Sequence, residues 1–288
     1  MIARFFGGLA LLLALLLGLL LPLGCAAPEL SVPGETTERS STVGALLVVG
    51  GGKIPDAVRS RFIELAGGPE ALLLIFPQAS TRENAGAGHE KAWRDGGARN
   101  IAIADLSDRA QLLRDLDAAR AIWFGGGSQN RLMAALRDAG VLDEIRHRHR
   151  AGCAVGGTSA GAAVMSASMI TGEAHTDRLA TGTTELAEGL GFWPGVIVDQ
   201  HFLRRERFMR LFSATLDHPE AIGVGIDEGT AVIVEDKSWR VIGAGHVIVI
   251  DARAARVTAK ETKVRAEDVR VHALPPGSEW SPRAPLRK

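Results

Sequence analysis

The sequence predicts an α/β fold, a mostly parallel sheet flanked by helices, with hairpin strands added on its C-terminal side. Two observations carry that expectation. Short apolar runs alternate with amphipathic stretches from Ala45 to Val155, and beyond Gly191 the apolar runs crowd together with only turns between them. An uninterrupted apolar run of four or five residues suits a strand buried on both faces, and strands separated by helical stretches suit parallel crossovers. Composition adds a size limit: 288 residues, 46% hydrophobic and 23% charged, can bury one sizeable core.

Taken in order, residues 1–24 are foreign to the rest. Arg4 precedes a stretch from Phe5 to Leu21 that is apolar or glycine throughout, the pattern of an export signal. Cys25 directly follows Gly24, so the segment resembles a bacterial lipoprotein signal whose lipid-accepting thiol is Cys25. Pro22 and Leu23 depart from the usual residues there. The expected location is therefore outside the cytoplasm, on the periplasmic or cell-surface side, tied to the membrane by lipid on Cys25. An uncleaved anchor or plain secretion is the alternative. Residues 25–43 are rich in Pro, Ser, Thr, Gly and Glu without apolar period and read as a tether. Residues 44–288 read as one catalytic domain.

Within that domain Ala45–Val49, Leu72–Phe76, Ile101–Ala104, Ala121–Phe124 and Cys153–Val155 are expected strands. Asp56–Ala66, Glu83–Gly96, Asp108–Leu116, Gln129–Ala139 and Leu142–Arg150 are expected helices. Farther on, Val196–Asp199 reads as a strand and Leu203–Leu216 as a helix. Ala221–Ile226, Ala231–Glu235, Arg240–Ile242 and His246–Ile250 read as strands in hairpins that extend the sheet. The segment after Val257 is charged and then Pro-rich.

Lys plus Arg equal Asp plus Glu at 33 each, so no global field favours nucleic acid, and none is expected as a partner. Cys25 and Cys153 are the two cysteines; with Cys25 lipidated there is no internal disulfide, and Cys153 reads as a core thiol. No spacing suits a metal site, and no cofactor is expected.

Chemistry concentrates at Gly156-Gly157-Thr158-Ser159-Ala160-Gly161, where an apolar strand runs through a tight turn into small residues. In such a turn a serine is presented in a strained backbone, and glycines remove the side chains that would collide. Ser159 is the expected nucleophile. The N–H of Ala160 and the free N–H groups of a second cluster, Gly125-Gly126-Gly127, are the expected oxyanion donors, with Gly126 and Gly127 assigned that role. Gly50-Gly51-Gly52-Lys53 lacks the spacing of a phosphate loop.

A serine hydroxyl needs a base and a carboxylate to orient that base. His147 and His149 lie in a basic helix, His89, His175, His218 and His272 in polar segments, and His246 at the head of an apolar strand. His201 ends an apolar run, where α/β folds place chemistry. Asp199, Glu173, Asp177 and Glu228 remain open as the third member. On a helical wheel Arg205 falls in the apolar stripe of Phe208, Leu211, Phe212 and Leu216, with Arg207 and Arg210 on the opposite flank. Arg205 there either pairs with Glu206 or Asp199, or lines a pocket for a substrate carboxylate.

These segments together resemble the cyanophycinase group, relatives of aspartyl dipeptidase (peptidase E). The resemblance rests on Gly156 to Gly161, on Val198-Asp199-Gln200-His201-Phe202 with Arg205, Arg207 and Arg210, and on Gly225-Ile226-Asp227-Glu228, in that order. It implies a fold like that of class I glutamine amidotransferases, flavodoxin-like, and a triad of Ser159, His201 and Glu228, with Asp177 as runner-up carboxylate. It also implies that Gln129, Asp199, Gln200, Arg205, Arg207 and Arg210 contact substrate, with acidic Asp199 facing a guanidinium of the substrate. Ser128 stands where relatives often carry aspartate.

The function expected is an exported serine peptidase that cleaves cyanophycin, a polyaspartate with arginine branches, to β-aspartyl-arginine dipeptides. An aspartyl or isoaspartyl dipeptidase acting on short peptides is the alternative, and a non-catalytic peptide-binding lipoprotein is the alternative of another class. The expected partners are the peptide or cyanophycin substrate and the membrane, with a homodimer left open.

Overall fold

A computed structural model describes residues 43–171, 175–261 and 263–282. The leader, Cys25, the tether as far as residue 42, and Glu173 lie outside the described residues.

The first half alternates as expected: β1 (Leu46–Val49), α1 (Asp56–Leu65), β2 (Leu73–Phe76), α2 (Ala85–Asp95), β3 (Ile101–Ile103), α3 (Arg109–Ala118), β4 (Ala121–Phe124), α4 (Gln129–Asp138), α5 (Leu142–Arg150), β5 (Ala154–Thr158) and the single turn α6 (Ala160–Ala163). The second half holds β6 (Ser168–Ile170), β7 (Leu186–Glu188), β8 (Val196–Gln200), α7 (Phe208–Asp217), β9 (Ile222–Ile226), β10 (Thr230–Glu235), β11 (Ser238–Gly243), β12 (Val247–Asp251), β13 (Arg256–Lys260), β14 (Lys263–Glu267), β15 (Arg270–Leu274) and β16 (Glu279–Trp280).

An eight-stranded sheet runs β16-β11-β10-β1-β5-β4-β2-β3. Its β1, β5, β4, β2 and β3 are mutually parallel, so their carboxyl ends share one edge. Every residue of β1, β2 and β4 is buried. Leu46, Val48, Leu74, Phe76, Ile122 and Phe124 pack on one face; Leu47, Val49, Leu73, Ile75 and Trp123 pack on the other. On that second face Phe62 of α1 and Trp93 of α2 meet Trp123 edge-on, at centroid distances of 5.3 and 4.8 Å. Burial on both faces is why these strands read as continuous apolar runs. Cys153 is buried as expected, and desolvation pushes its thiol up to about 12.

Two expectations need correction. The strands after Gly191 do not all extend the main sheet. The β10–β11 hairpin does so, antiparallel to β1, whereas β9 and β12 join a separate four-stranded sheet, β15-β12-β9-β8. The ring of Phe202 packs directly over Gly225 of β9, and Leu211 and Thr215 of α7 pack over Gly223, so this sheet carries its own helical cover. The chain crosses from one sheet to the other at Asp227-Glu228-Gly229.

The helix expected from Leu203 begins only at Phe208. His201 (φ 51°) and Glu206 (φ 52°) are left-handed, which a right-handed helix does not accommodate. Residues 202–206 form turns instead, closed by Arg205 N donating to His201 O and Arg207 N donating to Phe202 O. The charged C-terminal stretch supplies further strands: β13 and β14 form a hairpin, β15 joins the second sheet and β16 the edge of the first.

Candidate active site

Ser159 sits between β5 and α6 with φ 55° and ψ −113°, a conformation that costs of order 1–3 kcal/mol in a non-glycine residue. The flanking glycines permit it by close approach. A Cβ on Gly157 would strike the Gly161 carbonyl, and one on Gly161 would strike the carbonyl of Phe124. The tight turn aims the hydroxyl over the carboxyl edge of the sheet.

His201 follows β8 in the other sheet. Its N–H donates to Gly50 O at 2.6 Å, fixing the backbone in its left-handed state. His201 is 8% exposed; Nε2 lies 3.0 Å from Ser159 Oγ and Nδ1 2.6 Å from Glu228 Oε1. A carboxylate only accepts, so Nδ1 carries the proton and Nε2 is left to accept from the Ser159 hydroxyl. Burial is the largest influence on His201 and holds its pKa below the ordinary imidazole value, with Arg205 and Arg207 pushing the same way. The hydrogen bond and charge of Glu228 oppose that drop.

The three glycines after β1 are the seat of this pair. Gly51 (φ 111°) lies flat beneath the imidazole, where a Cβ would fall on the ring, and Gly52 (φ 69°) leaves room for Glu228. Gly51 O accepts from Gly229 N at 2.9 Å, tying the turn that bears Glu228 to the same loop. The sequence signal was visible as a glycine run after a strand. Set only against the phosphate-loop pattern, it stayed without a role.

Gly126 lies beside Ser159, such that a Cβ would come 3.4 Å from the serine Cβ. The N–H groups of Gly126, Gly127 and Ala160 make no backbone hydrogen bond among the described residues. A cavity of about 830 Å³ opens onto Ser159 and His201 and is bordered also by Ser80, Arg82, Asn84 and His89. Those four were not singled out as site residues, because a polar loop entering a helix gives no signal of what it faces.

The remaining expected residues have neighbours of their own. Asp177 is exposed, 3.9 Å from His175, while Glu228 is the carboxylate at His201. Asp199 is 1% exposed and faces Arg210, itself 2% exposed; Arg210 Nε donates to Oδ2 at 2.8 Å and Nη2 donates to Oδ1. Asp199 is thus paired with an internal guanidinium, where the resemblance implied one on a substrate. Arg207 Nη1 donates to Gln200 O at 2.6 Å and to Gln200 Oε1 at 2.9 Å. Burial and the neighbouring Arg210 lower the Arg207 pKa to about 10. Gln129 Nε2 donates to Ile170 O at 2.8 Å. Arg205 lies on the exposed turn before α7, outside any apolar stripe. None of these six borders the cavity at Ser159.

Residues 46–242 match peptidase family S51. The chain belongs to that family, and it is a serine-type peptidase. It is 37% identical over 254 residues to the cyanophycinase of Geminocystis herdmanii, covering 82% of this chain and 93% of that protein. The cyanophycinase of Synechococcus elongatus is 38% identical over 236 residues, covering 77% and 73%. Among solved structures, a peptidase from an acI-B1 Actinobacterium superposes with a TM-score of 0.63 at 22% identity, over 84% of this chain and 98% of that one. A peptidase E-type protein from Listeria monocytogenes EGD-e gives 0.52 at 16% identity, over 70% and 98%. At those identities the structural likeness speaks for the fold alone, and it agrees with the α/β expectation.

The electrostatics make one expected outcome measurable. Followed by NMR, the His201 ring titrates below the usual 6.5, and Glu228→Gln moves the midpoint lower still, because it removes the group that favours the protonated ring. A midpoint above 6.5, or one that rises in Glu228→Gln, contradicts the burial and pairing described.

Proposed function

We propose that this chain is an exported cyanophycinase that hydrolyses the backbone of arginine-branched polyaspartate to β-aspartyl-arginine dipeptides through Ser159, His201 and Glu228. The observation that carries the reading is the hydrogen-bonded run from Ser159 Oγ through both nitrogens of His201 to Glu228 Oε1. The kinship with cyanophycinases supports the substrate.

In this reading Ser159 Oγ attacks the scissile carbonyl carbon while His201 Nε2 takes the hydroxyl proton. The carbonyl oxygen gains negative charge and is met by the N–H groups of Ala160 and of Gly126 or Gly127. His201 then hands its proton to the leaving nitrogen, the C–N bond breaks, and an acyl-Ser159 ester remains. Water, deprotonated by the same nitrogen, cleaves the ester and restores the hydroxyl. Glu228 holds the ring in the tautomer that accepts at Nε2 and stabilises the imidazolium as it forms. The lowered pKa of His201 keeps its base form present at neutral pH.

Incubating the purified domain with cyanophycin releases β-aspartyl-arginine, and Ser159→Ala lowers the turnover on the order of a million-fold. Release of product from short β-aspartyl peptides but none from the polymer would move the substrate to the dipeptidase alternative. Near-normal turnover by Ser159→Ala would remove the triad.

The export reading rests on the apolar stretch from Phe5 to Leu21 and on Cys25 after Gly24. Among the described residues no helix is long and apolar enough to cross a membrane. Cells fed radioactive palmitate label the full chain in the membrane fraction, and Cys25→Ser loses the label. Equal labelling of both would rule out lipid on Cys25.

A further inference from the structure

Along the carboxyl edge of the main sheet the parallel strands stand in the order β1, β5, β4, β2. Each end carries one part of the cleft. The end of β1 carries Gly50–Gly52, which seats His201 and Glu228; the end of β5 carries Ser159; the end of β4 carries Gly125–Gly127. The end of β2 carries the segment from Pro77 into α2, which brings Ser80, Arg82, Asn84 and His89 to the cavity wall. His201 and the β2 segment therefore flank Ser159 from opposite sides. A base that returns its proton to the leaving nitrogen faces the leaving group, so the β2 wall faces the acyl part of the substrate.

The chemistry of that wall is one-sided. Among the described residues no carboxylate borders the cavity, and Arg82, exposed at its wall, has no acidic partner. Its backbone is held by Arg82 N donating to Ser80 Oγ at 3.1 Å. The Asn84 side chain makes no capping bond at the start of α2. His89, half-buried, rests on the backbone of Gly125, and neither ring nitrogen has a hydrogen-bond partner among the described residues. Burial lowers its pKa, so the neutral ring offers both a donor and an acceptor. A guanidinium with no acidic partner, set beside neutral polar groups, is a receptor for a carboxylate.

We propose that Arg82, flanked by Ser80, Asn84 and His89, forms a carboxylate subsite on the acyl side of Ser159. The carboxylate it takes is the free one on the arginine branch of the unit being cleaved. An arginine joined through its α-amine to an aspartate side chain keeps its own carboxyl group, so every acyl unit of such a polymer presents one. This rests on the cyanophycinase reading above, and it gives that reading a specificity element outside the arginine stretch around Asp199.

Binding to the Ser159→Ala protein, measured by calorimetry, tests the subsite without turnover. The probes are β-aspartyl-arginine and β-aspartyl-argininamide, which differ only in the branch carboxyl. The acid binds about tenfold tighter than the amide. Arg82→Ala on the same background removes that preference, and Arg82→Lys restores part of it by keeping charge without the fork. Equal binding of acid and amide, or an Arg82→Ala protein that weakens both alike, overturns the subsite. Polymer cleavage that persists alongside equal binding strikes the subsite alone. Preferential acid binding by a protein whose unmutated form leaves the polymer intact strikes the reaction and upholds the subsite.

Discussion

The site depends on one imidazole held between two sheets. His201 leaves β8 of the four-stranded sheet, Ser159 leaves β5 of the eight-stranded sheet, and Glu228 stands where the chain crosses from the first to the second. Three backbone hydrogen bonds lock that junction to the loop after β1: His201 N to Gly50 O, Gly229 N to Gly51 O, and Gly50 N to Thr230 O. Any side chain on Gly51 would displace the ring. The loop acts as a flat floor, and its lack of side chains is the physical condition for the ring to reach Ser159 and Glu228 at once.

A second constraint is the buried pair of Asp199 and Arg210, with Arg207 alongside at 3.6 Å from Asp199. Burying two charges is tolerable only when each satisfies the other; breaking such a pair costs about 3–5 kcal/mol because the survivor is left desolvated. Asp199 and Gln200 immediately precede His201, so the ion pair and the Arg207–Gln200 bonds fix the strand end from which the ring projects. The positive charge concentrated there also helps to keep His201 neutral. Arg207 and Arg210 after His201 thus brace the strand end that bears the ring, while the β2 segment lines part of the cavity over Ser159.

What was legible in the sequence follows the range of the forces involved. The parallel strands were readable because burial on both faces leaves uninterrupted apolar runs, and the Ser159 turn because close approach demands glycine at 157 and 161. The helix expected from Leu203 started late because His201 and Glu206 turn left-handed, and His201 does so under a hydrogen bond from a loop some 150 residues earlier. A helical wheel put Arg210 on a polar flank, since no wheel contains Asp199 on a neighbouring strand. The separation of β9 from β10 was hidden for the same reason: two adjacent apolar runs look like a hairpin until the cover over Gly223 and Gly225 is known. The glycines after β1 and the polar wall after β2 matter only through partners distant in sequence.

In the proposed mechanism Ser159 is made nucleophilic by a ring seated on Gly51 and paired with Glu228. Mass spectrometry of the protein after exposure to a serine-directed phosphonate tests it most directly. One adduct is expected, on the peptide containing Ser159, formed rapidly in the unmutated chain and lost in His201→Ala. Absence of the adduct in the unmutated chain, or equal labelling in the two proteins, would contradict it.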